Sequence, residues 1–308
     1  MTSEDTGGAC VPSRPPFDSA LGDGWVEIGD GRRFWGRFGA AGLLLRDPAD
    51  RVLLQHRVSW SHFGDTWGLP GGARHPEESA FQAALRESEE EAGVPAELIV
   101  PVLSSVVTIG PWSYSTVVAD ALEHFTPRIT DAESTELRWV APEDIDALPL
   151  HPGFAEAWPG LRSLAAPLPV LVIDAANVVG SRPDGWWRDR AGAAQRLLLA
   201  LARLAATGVP GALLGIDAET VWPRVVVVLE GAARAADSTA AVEAAPSGRL
   251  LVDSAEGSGD DAIVDLVAGF DAVVVVTADR GLVTRIEALG ATATGPRSVL
   301  DLLDAARE

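Results

Sequence analysis

The chain contains no lysine, so its 24 basic residues are all arginines, and neither Schiff-base nor Walker-A lysine chemistry can operate. Positive charge is scarce altogether. Against 44 Asp and Glu it leaves a formal net charge of −20, which argues against a generic nucleic-acid or membrane binder, since either presents a basic surface. Cysteine occurs once, at Cys10. That excludes an internal disulfide and a thiolate metal site, and it agrees with a reducing cytosol. Long hydrophobic runs are missing too. The best membrane candidate, "LLLALARLAATGVPGALLGI", holds Arg203 in its middle and then Gly208, Pro210 and Gly211, so it reads as a buried helix followed by a turn. The opening "MTSEDTGGACVPSRPPF" lacks the basic-then-apolar order of a secretory signal. The expectation is a cytoplasmic protein with no membrane partner; its oligomeric state is not legible.

At 308 residues the chain is too long for one ordinary core, and its pattern changes midway. Residues 1–30, rich in Gly, Ser and Pro, read as a flexible tail. From "RFGAAGLLLRDPADRVLLQHR" onward, apolar runs flank a Pro-Ala-Asp turn, a hairpin pattern. "WGLPGG" marks a loop and a helix follows it. "VPVLSSVVTIG", "YSTVVADALE" and "STELRWVAPEDI" supply further strands, the last leading into a helix start. "WPGLRSLAAPLP", with Pro159, Pro167 and Pro169, interrupts any regular element and closes a first domain over 31–163. Over 168–308, near-continuous Val runs alternate with helices, which indicates an α/β domain with a parallel sheet covered on both faces.

One segment concentrates acid without an evident folding reason: "GGARHPEESAFQAALRESEEEAGV". Ser79 and Gln82 form a capping box that starts a helix at Ala80, and Gly93 stops it. On that helix Phe81, Ala84, Leu85, Ser88 and Ala92 share the core face. Glu87, Glu90 and Glu91 stand at i, i+3 and i+4, so their carboxylates converge on the neighbouring side. Such a hard-oxygen cluster suits Mg²⁺ or Mn²⁺, which would remove the mutual repulsion.

Gly72, Glu78, Arg86, Glu87, Glu90, Glu91 and Gly93 stand at spacings that resemble the signature of the Nudix hydrolase family. "TWGLPGG" and "ELRWVAPEDIDALPLHP" extend the resemblance over most of residues 35–160. One departure is Ser88, where the family has an aliphatic residue; its hydroxyl is expected to bond back to the Leu85 or Ala84 carbonyl. The resemblance implies a Nudix-type α/β/α sandwich with a mixed sheet. It also implies hydrolysis of the diphosphate linkage in a nucleoside diphosphate derivative, with housecleaning of oxidised nucleoside triphosphates as one form. Glu87, Glu90 and Glu91 would hold the metal. Arg86 would orient a glutamate, Glu78 would buttress the junction of loop and helix, and Gly71 and Gly72 would let backbone approach the phosphates. The general base is left open between Glu90, Glu91 and an acid outside the motif such as Glu133 or Glu136. Trp67, Phe63, His62 and Trp112 could each stack a base or serve as core or loop cover; Trp67 is taken as substrate-binding. His56, His75, His124 and His151 lack ligand spacing and read as ordinary histidines.

In the second domain acids recur where strands end. Asp174 closes "PVLVID", Asp260 and Asp261 open the helix of "GSGDDAIVDLV", and Asp279 closes "VVVVTAD". Strand ends of an open α/β sheet meet at one crevice. Each acid also has a plain use as a turn residue, or as a helix cap shared with Ser258. Together "IDAANVV", "GSGDDAIV" and "VTADRGL" resemble the NYN branch of PIN-like ribonucleases, including the YacP-like group. That likeness implies a PIN-like fold in which Asp174, Asn177, Asp260, Asp261 and Asp279 serve a metal site for RNA cleavage, with Asp265 one turn further along. "SRPDGWWRDRAG" alternates Arg182, Arg188 and Arg190 with Trp186 and Trp187, a pattern suited to stacking and phosphate contact or to covering an interface. A rival reading for the whole chain is a regulatory protein whose first domain senses a nucleotide and gates the second.

Overall fold

Two apolar runs separated by a tight turn collapse into a hairpin, and the first unit is built outward from that hairpin. The computed structural model describes residues 20, 22–29, 31–163 and 168–306, in two compact units that divide at residues 165 and 166. Cys10 and residues 1–19 of the expected tail lie outside that description. Among the described residues of that tail a strand is formed. β1 (Trp25–Glu27) pairs antiparallel with β2 (Arg33–Trp35), because Trp25 and Trp35 stand opposite each other with ring centroids 5.3 Å apart.

β3 (Ala40–Arg46) and β4 (Val52–Arg57) form the central hairpin. Asp47 closes it, accepting from the Ala49 and Arg51 amides. The two strands pair only at Arg46 and Val52 and then splay apart. β5 (Trp67–Gly68) enters the gap and pairs with β4, and β6 (Gly71–Ala73) enters it and pairs with β3. This is the path of "WGLPGG". Gly71 can follow it because it has no side chain. Its φ is +158°, and a Cβ there would collide with the Ala41 carbonyl oxygen and the Gly42 Cα.

α1 (Ala80–Ala92) comes next, with its capping box formed by Ser79 and Gln82 and its left-handed stop at Gly93. β7 (Ile99–Ile109), β8 (Trp112–Ala121) and β9 (Ser134–Val140) complete the sheet. β8 lies parallel to β3 and antiparallel to β7, while β9 runs antiparallel along β4, so the sheet is mixed. Leu43, Leu45, Leu53, Val117 and Ala119 face α1 and pack on its Ala83, Ala84 and Ala92. Ser88, fully buried on that face, donates to the Ala84 carbonyl at 2.6 Å, which satisfies a hydroxyl placed where an aliphatic group would need no partner. On the opposite face Leu44, Val52 and Val118 line a cavity of about 390 Å³ with Trp158 and Leu161.

Trp158 and Leu161 belong to α2 (Pro152–Ser163), which runs through Pro159 instead of breaking there. Proline removes one helical hydrogen bond, but Phe154, Trp158 and Leu161 fall on one stripe and are all buried. Their burial offsets the lost bond.

The second unit carries β10 (Val170–Asp174), α3 (Ala175–Gly180), α4 (Arg190–Thr207), β11 (Val209–Pro210), β12 (Thr220–Val221), β13 (Val225–Leu229), α5 (Thr239–Ala244), β14 (Leu250–Ser254), α6 (Gly259–Ala268), β15 (Val273–Val276), α7 (Arg280–Glu287), β16 (Thr292–Thr294) and α8 (Pro296–Ala305). β10, β13, β14, β15 and β16 form one sheet in the order β14-β13-β10-β15-β16, with every pairing parallel. The order reverses direction between β10 and β15. Among the described residues no helix is long and apolar enough to cross a membrane; α4 buries Leu197, Leu198, Leu201 and Leu204 and ends at Gly208, as its composition indicates.

The passage of residue 71 through the splayed hairpin is sterically tight. Gly71→Ala is expected to destabilise the first unit by about 1–3 kcal/mol through overpacking, read as a lower melting temperature by circular dichroism. An unchanged melt would show that β3 and the loop separate freely.

Candidate active site

Arg86 organises the N-terminal end of α1. Its Nε and Nη2 donate to the two carboxylate oxygens of Glu78 at 2.9 and 3.0 Å, and its Nη1 donates to Glu87 at 2.8 Å. Nη2 also reaches the Ala73 carbonyl at 3.0 Å. Glu78 in turn accepts from the His75 amide at 2.9 Å, so the loop before α1 is tied to the helix through one guanidinium. Burial raises the Glu78 carboxyl, but the bonds from Arg86 and His75 outweigh it and hold the group below its ordinary value.

Glu87 and Glu91 point inward and are less well compensated. Burial pushes Glu87 up to about 7, against the pull of Arg86 and with Glu90 and Glu78 adding to the rise. Glu91 is only 7% exposed. Burial raises it well above its ordinary value, Glu87 adds to this, and the Gly71 amide, donating at 2.9 Å, opposes it. The two glycines of the loop make both positions available. Gly71 supplies that amide, and the Glu87 carboxylate occupies the space that a Cβ on Gly72 would fill. In the structure, therefore, Gly71 and Gly72 meet glutamates as well as the β3 backbone. Glu90 lies on the outer side, 60% exposed, at 3.5 Å from Arg86 Nη1.

The structure does not gather Glu87, Glu90 and Glu91 as one trio. Glu91 instead meets Asp131 and Glu133, with one oxygen of each lying within 4.8 Å of the others, the one such group among the described residues. The segment that carries them is laid along the end of α1: the Arg128 amide donates to the Ala92 carbonyl and the Thr130 hydroxyl to the Glu90 carbonyl. Asp131 is then fixed by a buried relay. Gln55 Nε2 donates to Ser134 Oγ at 2.7 Å, and Ser134 Oγ donates to Asp131 at 3.3 Å. Burial raises Asp131 as well, opposed by the Glu133 and Ser134 amides. Sequence reasoning missed Asp131, because its place depends on the path of a loop with no pattern of its own. Glu133 was among the acids considered; Glu136 turns outward and pairs with Arg138 at 2.6 Å.

Of the aromatic candidates, Trp67 is 5% exposed. The Arg138 guanidinium lies 4.7 Å over its ring and His56 tilts against it at 5.0 Å, so its faces are taken. Trp112 is buried too, stacked on Phe34 and donating to the Trp35 carbonyl. Phe63 and His62 remain at the surface.

In the second unit, β10 and β15 bring their ends together at the switch in strand order. Asp174 caps α3 through the Asn177 amide and accepts from Thr277 Oγ1 at 2.8 Å. Asn177 Oδ1 accepts from the Ala278 amide, and Asp279 caps α7 through the Leu282 amide. Burial raises Asp174, with the charges of Asp260 and Glu230 adding. Asp260 is raised by burial, Asp279 and Glu230. Asp261 is 68% exposed and pairs with Arg285 at 2.6 Å. Ser258 stands at the N-cap of α6 with no side-chain cap bond. Glu230, just after β13, accepts from the Gly259 amide at 2.8 Å; it was overlooked, although the strand-end rule that found Asp174 would have found it. Arg182 pairs with Asp304, and Arg190 lies over Trp186.

The family model described as NUDIX domain matches residues 36–161. Among curated relatives, a putative 8-oxo-dGTP diphosphatase 3 of Mycobacterium tuberculosis is 50% identical over 179 residues, covering 53% of this chain and 82% of that protein. A nucleoside triphosphate pyrophosphatase/Nudix hydrolase fusion protein of Bifidobacterium longum is 44% identical over 155 residues, 47% of this chain and 32% of that one. Among solved structures, the Nudix hydrolase RenU of M. smegmatis is 50% identical, covers 47% of this chain and 96% of its own, and has a TM-score of 0.44. Through residues 36–161, with Arg86 and its carboxylates at their centre, the chain belongs to the Nudix family and is a hydrolase of that family.

Proposed function

We propose that the first unit hydrolyses the diphosphate linkage of a nucleoside diphosphate derivative in the presence of Mg²⁺ or Mn²⁺, with nucleoside triphosphates, including oxidised ones, as the substrate class. The observation that carries this reading is Glu91, buried beside Asp131 and Glu133 and unable to ionise comfortably without a cation. The donor set fits a hard divalent ion: every group is a carboxylate oxygen, and no thiolate or imidazole intrudes. Glu91, Asp131 and Glu133 would hold the ion, with Glu87 and Glu90 lining the approach. Bound there, it would neutralise diphosphate oxygens and lower the pKa of water.

The chain's own residues set the geometry. Arg86 fixes Glu87 against Gly72, and Glu78 fixes Arg86, so neither side chain needs to reorganise when substrate arrives. Gln55 and Ser134 do the same for Asp131. The general base is taken as Glu90, the exposed acid outside the trio that would hold the ion.

For the second unit we infer, more narrowly, a PIN-like crevice for a divalent ion and RNA at the ends of β10 and β15. What supports it is the all-parallel sheet whose order switches where Asp174 and Asp279 stand. Asp174→Asn is expected to abolish Mn²⁺-dependent cleavage of a single-stranded RNA; absence of any such cleavage by the wild-type chain removes the reading.

For the first unit, release of phosphate or pyrophosphate from a nucleotide panel with Mg²⁺ is expected for the wild type, and Glu91→Gln should reduce it by about 10²-fold or more. Asp131→Asn should raise the Mg²⁺ concentration needed for half-maximal rate by about tenfold or more. Activity that survives in Glu91→Gln contradicts the assignment. Stability supplies an independent check. The folded value of Glu87, about 7, lies above its ordinary 4.5. The folded protein therefore keeps a proton that the unfolded chain releases in that interval, and stability without metal falls as pH rises through it. Mg²⁺ favours the ionised carboxylates, so it should raise the melting temperature more at pH 8 than at pH 5. Equal increments at both values would dissociate the ion from these glutamates.

A further inference from the structure

The loop over residues 58–66, between β4 and β5, is built at a cost. Phe63 and Asp65 both have left-handed backbones, with φ of 54° and 58°. Non-glycine residues avoid that region. The loop is nevertheless held there. The Ser61 amide and hydroxyl both donate to the Val58 carbonyl, the Gly64 amide to the Ser61 carbonyl, and Thr66 Oγ1 to the Phe63 carbonyl at 2.6 Å. What this arrangement achieves is to hold the Phe63 ring in water, 45% exposed.

The ring is not isolated. His62 lies 4.1 Å from it and His151 4.9 Å, each edge-to-face, and Trp25 of β1 continues the row 5.5 Å from His62. The loop that carries the row is rooted beside the acid trio, and the charge of Arg57 acts on Glu91 as well as on His62 and His151. The Val58 amide, at the root of the loop, donates to the Glu133 carbonyl at 3.0 Å, and the Asp65 amide returns to the Arg57 carbonyl. Burial, reinforced by the charge of Arg57, keeps His151 down at about 4 and His62 below its ordinary value. Near neutral pH both imidazoles are therefore uncharged, and the row offers aromatic faces and edges rather than cations. Trp67 and Trp112 are covered, and Trp60, exposed on the same loop, stands outside the row.

We propose that Phe63, flanked by His62 and His151, is the platform on which the aromatic base of the substrate stacks, and that the enzyme therefore selects nucleotides over base-free diphosphates. The proposal rests on the reading of the first unit as a diphosphate hydrolase. It adds the residue that recognises what the diphosphate is attached to.

Steady-state kinetics of the full chain with Mg²⁺ test it. Phe63→Ala should raise KM for ATP and GTP by about tenfold, within the range expected for loss of one base–aromatic stack, while kcat changes by less than about twofold. Phe63→Trp should restore the wild-type KM, which a merely structural role of the loop would not predict. Inorganic tripolyphosphate, which has no base, should inhibit wild type and Phe63→Ala with the same inhibition constant. If KM for both nucleotides is unmoved in Phe63→Ala, the platform is wrong and the hydrolase reading stands. If the wild type cleaves base-free diphosphates in preference to nucleotides, the selectivity is wrong and the hydrolase reading again stands. If it cleaves neither, both fall.

Discussion

Arg86 bonds Glu78 through two of its nitrogens and Glu87 through a third, so a single positive charge fixes the position of α1 against the loop that precedes it. That charge is outnumbered. Glu78 takes most of the compensation and is held ionised, while Glu87 and Glu91 are left buried with raised carboxyl groups. Folding by itself gives no reason to bury both acids there, because the single bonds from Arg86 to Glu87 and from the Gly71 amide to Glu91 do not restore the hydration these carboxylates lose. The surplus of negative charge makes sense as an attraction held ready for a cation. On the proposal made above, the cost of burying these carboxylates and the affinity for a divalent ion would be the same free energy seen from two sides.

The sheet provides the space in which this can happen. If β3 and β4 stayed paired along their length, Gly71 and Gly72 would have no place between them. The splay after Arg46 and Val52 admits the loop, and the loop delivers the Gly71 amide to Glu91 and an open space to Glu87. Glycine is required at both positions for different reasons. At 71 the backbone of β3 is too close for a side chain; at 72 the occupant is the carboxylate itself. The buried relay from Gln55 through Ser134 acts on the far side, where it keeps Asp131 turned towards Glu91 rather than towards water. Rigid support on both sides is what lets short carboxylate side chains act as a site.

Local chemistry was readable in the sequence, and long-range paths were not. The capping box at Ser79 and Gln82, the stop at Gly93, the Ser88 back-bond and the alternation of Val-rich strands with helices all depend on residues within a few positions of one another, and each appears as expected. Helical spacing placed Glu87, Glu90 and Glu91 together on one side of α1, but spacing reports the direction of a Cβ rather than its surroundings. Only the tertiary path of residues 128–134 decides that Glu91 turns to Asp131 and Glu133 while Glu90 faces water. Pro159 shows the converse error. A local rule predicts a break, and the burial of Phe154, Trp158 and Leu161 overrides it. Trp67 looked available because a sequence shows a ring without showing what covers it.

The two units contain similar acids that do different work, and the distinction lies in what each carboxylate accepts. Asp279 stands at the N-cap of α7 and receives the Leu282 amide, and Asp261 meets Arg285 in the open. A folding role accounts for both without any ligand. Asp174 differs. It receives the Asn177 amide and the Thr277 hydroxyl, yet burial and the charges of Asp260 and Glu230 still hold it above its ordinary value. Two donors do not suffice there, just as one amide does not suffice for Glu91. An acid such as Asp279 that caps a helix is explained by the helix it caps. One that stays raised after its hydrogen bonds are made is still lacking positive charge, and by that measure Asp174 and Asp260, rather than Asp261, are the acids of the second unit that folding leaves unexplained.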